Sequence, residues 1–421
     1  MTSTQAKLLG LLAAVSLAAP VSPSPGSETG LLAVRVGRAE TVAHGTIEHA
    51  VILIENGKIV VVGQDLEIER GIPVLDRPDW VVIPGLVDCH SRVGMQGSGG
   101  SGSEPQVLAS AELYPRQDEW REVLETGITT LGLYPNGRGI PGQAVAVRPA
   151  GETVEEMIVG DRAYLMIYLQ SSSSSKKMLR DGFEDVDKYL EKEQKAFEKW
   201  EKAQEKKKKS KKDDDDKDKD DEDDEYSPPE PDEDVVPFMQ LREGTLSALI
   251  EISRASDWLH LLDAIGEEEF AWDLRVNLVD DIDLHYVIDA IGEHEKRIVV
   301  EPRITLMPHT RRERNLPAEL LRAGAHVAFV PTNVSSETSR KNWRRDVAHV
   351  VASGLDAADA LRAMTLVPAQ VLRVDDRVGS IEAGKDANLV FLNGDPLEPA
   401  TRVQAVMLEG EFVTGEEEVK L

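Results

Sequence analysis

The fold of this chain is decided by residues 81–92, Val-Val-Ile-Pro-Gly-Leu-Val-Asp-Cys-His-Ser-Arg. The apolar run from Val81 to Val87 predicts a buried strand that ends at a functional turn. Alternate residues of a strand point the same way, so imidazoles at positions 90 and 92 would face one metal ion. His90 supplies the first of them. Arg92 stands at the second position, and a guanidinium cannot lose its proton to bind a metal.

Bulk composition excludes several classes of protein. The chain has 421 residues, with 48 basic and 76 acidic side chains and a net charge of -28. Nucleic acid is an unsuitable partner, because phosphate binding needs a clustered basic face. The single cysteine, Cys89, excludes an intramolecular disulfide and the cysteine-rich zinc modules. We interpret Cys89 as a buried apolar residue at a strand end.

Residues 1–26 have the pattern of a signal peptide. Lys7 supplies a positive charge, and Leu8 to Leu17 form an apolar stretch that is too short to span a bilayer. The sequence therefore predicts an exported protein, periplasmic or extracellular. No other segment is apolar enough for a transmembrane anchor.

Both ends of the chain are rich in short apolar runs that are typical of strands. Asn56-Gly57 stands between two such runs and predicts a tight hairpin. A strand pair of that size cannot bury its own face. We therefore expect residues 31–80 and 376–415 to form one composite β-sandwich.

The middle of the chain, residues 81–375, alternates between strand and helix patterns. That order predicts an α/β fold with a β/α barrel, as in triosephosphate isomerase-like proteins. Eight strands are predicted, at 81–87, 128–133, 144–147, 163–169, 245–252, 274–279, 298–304 and 326–330.

Residues 171–234 do not follow this alternation. Phe183, Val186, Leu190, Phe197 and Trp200 recur at helical spacing among charged residues, and long lysine and aspartate runs follow them. The pattern predicts a surface insertion with one amphipathic helix and a largely disordered charged loop. Residues 176–234 are a candidate contact for a protein partner or for cations.

Three stretches of this sequence are similar to the metal-dependent amidohydrolase superfamily, in particular to imidazolonepropionase-like and dihydroorotase-like members. They are Pro-Gly-Leu-Val-Asp-Cys-His at 84–90, Glu-Thr-Gly-Ile-Thr-Thr at 125–130, and the C-terminal block at 360–369 and 379–390. The resemblance implies a β/α barrel with a composite β-sandwich. It also implies a metal cage at the barrel mouth, hydrolysis of C–N bonds, and zinc as the cofactor.

Most of the ligands that the resemblance implies are missing from this chain. His90 is the one clean match, and Arg92 replaces the second histidine of the pair. We therefore expect a degenerate site that holds no metal or holds a divalent ion weakly. We also expect Arg92 to take over the charge of the metal by pairing with Glu251, Asp280 or Glu301. The residues expected at the barrel mouth are His90, Arg92, Glu251, Asp280, Glu301 and Asn333.

Two functions stay open at this point. The first is an exported relative of the family that has lost catalysis and acts by binding a small-molecule ligand or a partner. The alternative is an active metal-dependent hydrolase of C–N bonds in amides or cyclic amides, with His90 and nearby carboxylates as its site. The sequence leaves the substrate, the ligand and any homo-oligomer undetermined.

Overall fold

A computed structural model describes residues 30–97, 99–210, 225–278, 283–307 and 309–415. The predicted signal peptide, residues 1–26, lies outside the described residues. Within the described residues, no helix is long and apolar enough to cross a membrane.

The strands follow the chain as β1 (Leu31–Glu40), β2 (Thr46–Glu55), β3 (Lys58–Gln64), β4 (Val74–Pro84), β5 (Leu86–Ser91), β6 (Ser101–Ser103), β7 (Ile128–Leu133), β8 (Arg138–Ile140), β9 (Gly142–Gln143), β10 (Val145–Val147), β11 (Ile158–Gly160), β12 (Leu165–Tyr168), β13 (Ala248–Ile252), β14 (Trp272–Val276), β15 (Arg297–Val300), β16 (Thr305–Leu306), β17 (Glu313–Arg314), β18 (His326–Phe329), β19 (Leu389–Leu392), β20 (Val403–Leu408) and β21 (Glu411–Thr414). The α-helices are α1 (Glu119–Glu125), α2 (Val154–Met157), α3 (Ser173–Ser210), α4 (Val236–Glu243), α5 (Ala255–Ile265), α6 (Ile288–Gly292), α7 (Leu316–Arg322), α8 (Glu337–Ala352), α9 (Ala357–Met364) and α10 (Leu366–Val371). Short 3-10 helices span Ala109–Glu112 and Asp283–Tyr286.

Both ends of the chain meet in one seven-stranded sheet, in the order β21-β20-β19-β4-β1-β2-β3. The predicted hairpin is confirmed, since β2 and β3 pair antiparallel around Asn56 and Gly57, and both of these residues have positive φ. The sheet buries one apolar cluster that includes Val34, Ile52 and Phe391. Residues 31–84 and 389–414 therefore join in one sheet as expected, while a sandwich of two facing sheets stays a prediction.

The central strands form a mixed α/β arrangement of two sheets. One has the order β11-β10-β7-β5, and the other has the order β18-β15-β14-β13-β12-β9. The strands β12, β13, β14, β15 and β18 run parallel to one another, as do β5 and β7. Reciprocal backbone bonds of Ala144 with Tyr164 and Ala163 connect the two sheets. The ladders of the described residues leave two separate sheets, so a closed barrel stays a prediction.

Each of the eight predicted strands has a counterpart, but the third differs in direction. β10 runs antiparallel to β7, with Val145 opposite Leu133. Parallel neighbours need a crossover of about a dozen residues or more, usually through a helix. Only β8, β9 and turns separate β7 from β10, so the chain folds back directly.

Gly85 divides the first predicted strand into two parts. β4 ends at Pro84 in the terminal sheet, and β5 begins at Leu86 in the central sheet. A Cβ atom on Gly85 would lie 2.0 Å from Oγ1 of Thr129, so only glycine allows this close approach to β7. The stretch that decides the fold therefore passes from one sheet into the next.

The helix predicted inside residues 171–234 is confirmed, but its first half belongs to the core. Leu179, Phe183 and Val186 of α3 are buried. Phe183 contacts the Phe238 ring of α4 at a centroid distance of 5.2 Å, and the guanidinium of Arg242 lies 5.3 Å from the centre of the Phe183 ring. The interpretation of this half as a surface excursion was therefore wrong. The first half of α3 is a helix between β12 and β13 that packs on the core.

The second half of α3 extends past this contact and is covered by the chain that returns from it. The Tyr226 hydroxyl donates to the backbone oxygen of Glu193 at 3.1 Å, and the Tyr189 hydroxyl donates to that of Pro229 at 3.1 Å. The Tyr226 ring also contacts Phe197 and Trp200. The charged segment that was predicted to be disordered is residues 211–224 in its main part, and it lies outside the described residues.

Two phenylalanines on α3 test whether its first half belongs to the core and its second half does not. Phe183 is 2% exposed and Phe197 is 43% exposed. We expect Phe183→Ala to lower the free energy of unfolding by about 3–5 kcal/mol, because it leaves a cavity in the core. Phe197→Ala, the matched control on the same helix, should cost about 1 kcal/mol or less. Urea unfolding measures both, and equal small losses would show that the first half of α3 is not a core element.

Candidate functional site

Six polar side chains gather where neighbouring central strands end. They are His90 of β5, Tyr134 after β7, Tyr168 of β12, Glu251 of β13, Arg275 of β14 and Glu301 after β15. The carboxyl ends of parallel strands meet at one edge of a sheet, where α/β proteins place their sites. Strand register brings two of them together, since Glu251 lies directly beside Arg275 in the β13–β14 ladder.

Arg275 is the central charge of this cluster. It is 4% exposed, and its Nη2 donates to the Oε1 atom of Glu301, which is 5% exposed. Its Nη1 donates to the backbone oxygens of Val276 and Val299. A buried cation is costly unless it is paired and hydrogen bonded. Glu301 and two strand-end carbonyls meet most of that requirement for Arg275.

His90 is held beside this pair as a neutral imidazole. Its ring is 2% exposed and stacks on Tyr134 at a centroid distance of 4.1 Å. Burial lowers the pKa of His90 well below its usual value, and the positive charges of Arg275 and Arg92 lower it further. Within the described residues, the Nδ1 atom of His90 has no hydrogen-bond partner.

Glu251 faces both His90 and Arg275. One carboxylate oxygen lies 4.0 Å from Nε2 of His90, and the other accepts from the Asn277 amide at 3.2 Å. Burial raises the pKa of Glu251, while Arg275 and the bond from Asn277 lower it. The contact with His90 is too long for a hydrogen bond, so Glu251 is oriented by Asn277.

The predicted ion pair of Arg92 with Glu251, Asp280 or Glu301 was wrong for the carboxylates that the structure describes. The Arg92 Nη1 atom donates to the backbone oxygen of Tyr134 at 3.1 Å, and its guanidinium lies 5.6 Å from the centre of the Tyr134 ring. Arg92 is half-buried, so solvent still stabilises its charge. Arg275 takes the partner that was expected for Arg92, and Asp280 lies outside the described residues.

Asn333 lies in the turn that follows β18. It is exposed, and its side-chain oxygen accepts from the backbone nitrogen of Ser335 at 3.0 Å. This local bond forms a turn after β18. Because the neighbouring Val334 accepts from the backbone nitrogen of Arg92 at 2.9 Å, the place of Asn333 at the mouth stays a prediction.

Asp88 is a buried acid that the sequence did not single out. It is 1% exposed, and its Oδ1 atom accepts from the backbone nitrogen of His90 at 3.3 Å. Burial raises the pKa of Asp88 to about 6, although the charges of Arg340 and Arg275 lower it. Its Oδ2 atom has no partner among the described residues.

The residues of this centre do not fit a zinc ion. A zinc site needs about three or four deprotonated ligands that converge on one point. The described residues contain no group of three or more histidine, cysteine, aspartate or glutamate side chains that could hold a metal. His90 and Glu251 are two donors, and the Arg275 guanidinium beside them repels a cation by about 4 kcal/mol per unit charge at 4 Å in an effective dielectric of 20.

Sequence reasoning missed Arg275, although the sequence carries a signal for it. A charged residue interrupts the apolar run from Trp272 to Val276, where a buried strand was predicted in part. Asp273 interrupts the same run two residues earlier and pairs with Arg297. Charges inside a buried strand must find partners, so they mark a polar site or a structural ion pair.

One part of the chain is similar to known amidohydrolases. Residues 285–413 match the Amidohydrolase family model. The chain is 32% identical over 129 residues to the adenine deaminase of Rubrobacter xylanophilus, a match that spans 31% of this chain and 18% of that protein. The chain thus spans less than a fifth of the curated relative's length.

Solved structures give a longer match to the fold. An amidohydrolase from Thermotoga maritima has a TM-score of 0.74 at 22% identity, and the match covers 91% of this chain and 99% of the other. An adenosine deaminase from Xanthomonas campestris with bound zinc has a TM-score of 0.55 at 18% identity, with 92% and 94% covered. At these identities the likeness concerns the fold.

Substitution of Arg275 tests whether its charge stabilises the buried carboxylate of Glu301. We expect Arg275→Met to lower the free energy of unfolding by about 3–5 kcal/mol, because Glu301 then stays buried without a partner. The double variant Arg275→Met with Glu301→Leu should regain much of this loss. Arg92→Met is the control and should cost about 1 kcal/mol, since it removes one bond to a carbonyl. If urea unfolding gave equal losses in the free energy of unfolding for Arg275→Met and Arg92→Met, the pairing of Arg275 with Glu301 would not be the stabilising contact that we propose.

The raised pKa of Asp88 predicts how stability changes with pH. Between pH 4 and pH 6 the folded chain keeps a proton on Asp88 that the unfolded chain has lost, so this group makes stability fall as pH rises. A pKa shift from 3.8 to about 6 corresponds to a loss of about 3 kcal/mol by pH 7.

We therefore expect Asp88→Asn to reduce the fall in stability between pH 4 and pH 7. Every other titrating group is the same in both proteins, so their difference isolates Asp88. Asp76→Asn, at a half-exposed position in the terminal sheet, is the control. Parallel stability profiles for Asp88→Asn and the unaltered protein would refute the assignment.

Proposed function

We propose that this protein, a member of the metal-dependent amidohydrolase superfamily, binds a small molecule at its strand ends without using a metal ion. One observation carries the proposal. Arg275 is buried between Glu251 and Glu301, so a permanent positive charge of the protein stands among the carboxylates that a metal would need. A fold hosts many functions, and the residues at the site decide among them.

The proposal includes the barrel that the sequence predicts. The parallel runs of the two central sheets and the bonds of Ala144 between them support a closed β/α barrel. The likeness of the fold over 91% of the chain supports it further. The composite β-sandwich belongs to the same proposal, with the seven-stranded sheet as its main layer.

The groups at the strand ends suit binding of a neutral, polar part of a ligand. His90 is uncharged, and its Nε2 atom makes no hydrogen bond to Glu251 at their distance of 4.0 Å. Tyr168 is partly accessible, and burial raises its pKa to about 12, so its hydroxyl stays protonated and can donate. Glu251 can accept. These groups would recognise a ligand by hydrogen bonds.

A second candidate is an active metal-dependent hydrolase of C–N bonds. The comparisons support this candidate more directly than the first, because the relatives are named as deaminases and amidohydrolases and one of them holds zinc. We rank it second because the match to the deaminase spans 18% of that protein, whereas Arg275 and Arg92 are this chain's own residues at the strand ends.

Export to the periplasm or the cell exterior remains part of the proposal, on the strength of Lys7 and the apolar run that follows it. So does a role for residues 176–234 in contact with a protein partner or cations. The half-exposed side chains of Phe197 and Leu190 on α3 support such a contact, and deletion of the segment beyond Glu193 tests it.

Metal content separates the two candidates. We expect protein dialysed first against zinc and then against metal-free buffer to retain well under one zinc per chain by mass spectrometry of the metal. The physical reason is that two donors beside a guanidinium hold an ion too weakly. One zinc per chain, lost on His90→Ala together with a hydrolytic activity, would establish the second candidate.

A rebuilt site provides the positive control for this measurement. Arg92→His together with Arg275→His supplies two imidazoles and removes both guanidiniums next to His90. Zinc content should rise in this variant relative to the unaltered protein. Arg322→His, at an exposed position on α7, is the matched control for an added imidazole elsewhere.

A further inference from the structure

A cavity of about 520 Å³ opens beside the strand ends, outside the cluster around Arg275. The chain that follows β15 forms one wall with residues 302–304, and Thr332 after β18 contributes to the lining. Arg345, Asp346 and His349 of α8 form the opposite wall. A volume of this size suits a small molecule.

The charge of this lining is opposite to that of the protein as a whole. The chain carries a net charge of -28, yet the lining has the two guanidiniums of Arg303 and Arg345 against the single carboxylate of Asp346. His349 adds an imidazole. Two positive charges against one negative charge leave one positive charge in excess, so the lining favours an anion although the net charge of the protein disfavours one.

Asp346 lies near both guanidiniums and the imidazole of this lining. Burial raises the pKa of Asp346, whereas the charges of Arg345, Arg303 and His349 each lower it. Arg345 approaches its carboxylate at 3.9 Å, a distance too long for a hydrogen bond. The guanidinium of Arg345 therefore keeps donors that an incoming anion can use, and so does that of Arg303, which is exposed.

The position of the cavity connects it to the strand-end cluster. Pro302 and Arg303 directly follow Glu301, the partner of Arg275. Pro302 and Ile304 give the wall an apolar part. A ligand held here by an anionic group lies next to the ends of β15 and β18, which is where barrel proteins often bind phosphate.

We propose that this cavity binds the carboxylate or phosphate group of a small organic anion, with Arg303 and Arg345 as its charged contacts. Planar guanidiniums match both kinds of group, and a pair of them from two walls fixes the anion between the loop and α8. The inference names the chemical class of the ligand and rests on the proposed function of small-molecule binding.

Calorimetric titration with inorganic phosphate and, separately, with succinate tests the proposal at constant ionic strength. We expect saturable binding of one or both probes to the full chain. Arg303→Gln and Arg345→Gln should each weaken that binding about tenfold or more, because each removes charge-assisted hydrogen bonds. Arg322→Gln, an exposed arginine of α7 away from the lining, is the matched control and should bind as the unaltered protein does.

Two results would overturn the inference. One is that neither probe binds the unaltered protein, and the other is that both cavity variants bind as tightly as the Arg322→Gln control. Binding of phosphate alone assigns a phosphate group, and binding of succinate alone assigns a carboxylate. Thermal melting of each variant confirms that it is folded.

The same samples keep this inference apart from the proposed function. Stoichiometric zinc together with anion binding would refute the proposed metal-free function and support the anion site. Absence of zinc together with no binding of either probe would support the proposed metal-free centre and refute the anion site.

Discussion

The buried contact between Arg275 and Glu301 constrains the centre of this molecule more than any other interaction. A guanidinium inside a strand must be paired, because an unpaired buried charge costs several kcal/mol. The pairing holds only in one register, with Arg275 beside Glu251 on β13 and beside Val299 on β15. A slip by one residue would turn Arg275 to the other face of the sheet. The charge thus specifies the alignment of three strands.

The same charge sets the state of its neighbours. Arg275 and burial together keep His90 neutral, and Arg275 offsets part of the cost of ionising Glu251. In a metalloenzyme these effects would come from the ion, which favours deprotonated ligands. Here an amino acid produces them, and it does so without an open coordination position for water. The guanidinium of Arg275 in place of a metal ion therefore connects the structure to the proposed metal-free function.

Much of the fold follows from local pattern. The Asn56-Gly57 turn, the strand at 128–133 and the helix that contains Phe183 all appear where periodicity places them. Helix α8 escaped prediction, because charged residues surround its buried Trp343 and Val347 and hide the apolar stripe. The direction of β10 also escaped, since it depends on the absence of a crossover helix and not on the strand's own residues.

Three of the six side chains of the site were predictable from the sequence, but their pairings were not. Sequence placed His90, Glu251 and Glu301 at strand ends, and the structure brings them to one cluster with Arg275. It assigned the cation to Arg92, because the motif around His90 drew attention to that position. Which of two arginines is buried depends on strand alignment across four chain segments, and a single sequence does not contain that information.

The return of the chain along α3 determines where this protein can accept an insertion. The Tyr226 and Tyr189 hydrogen bonds join the outgoing and returning chain, so the attachment points lie on either side of the charged segment. Closing a longer loop between fixed ends costs only about 0.6 kcal/mol for each doubling of its length. The chain between the two attachment points is therefore the natural place to insert a reporter domain.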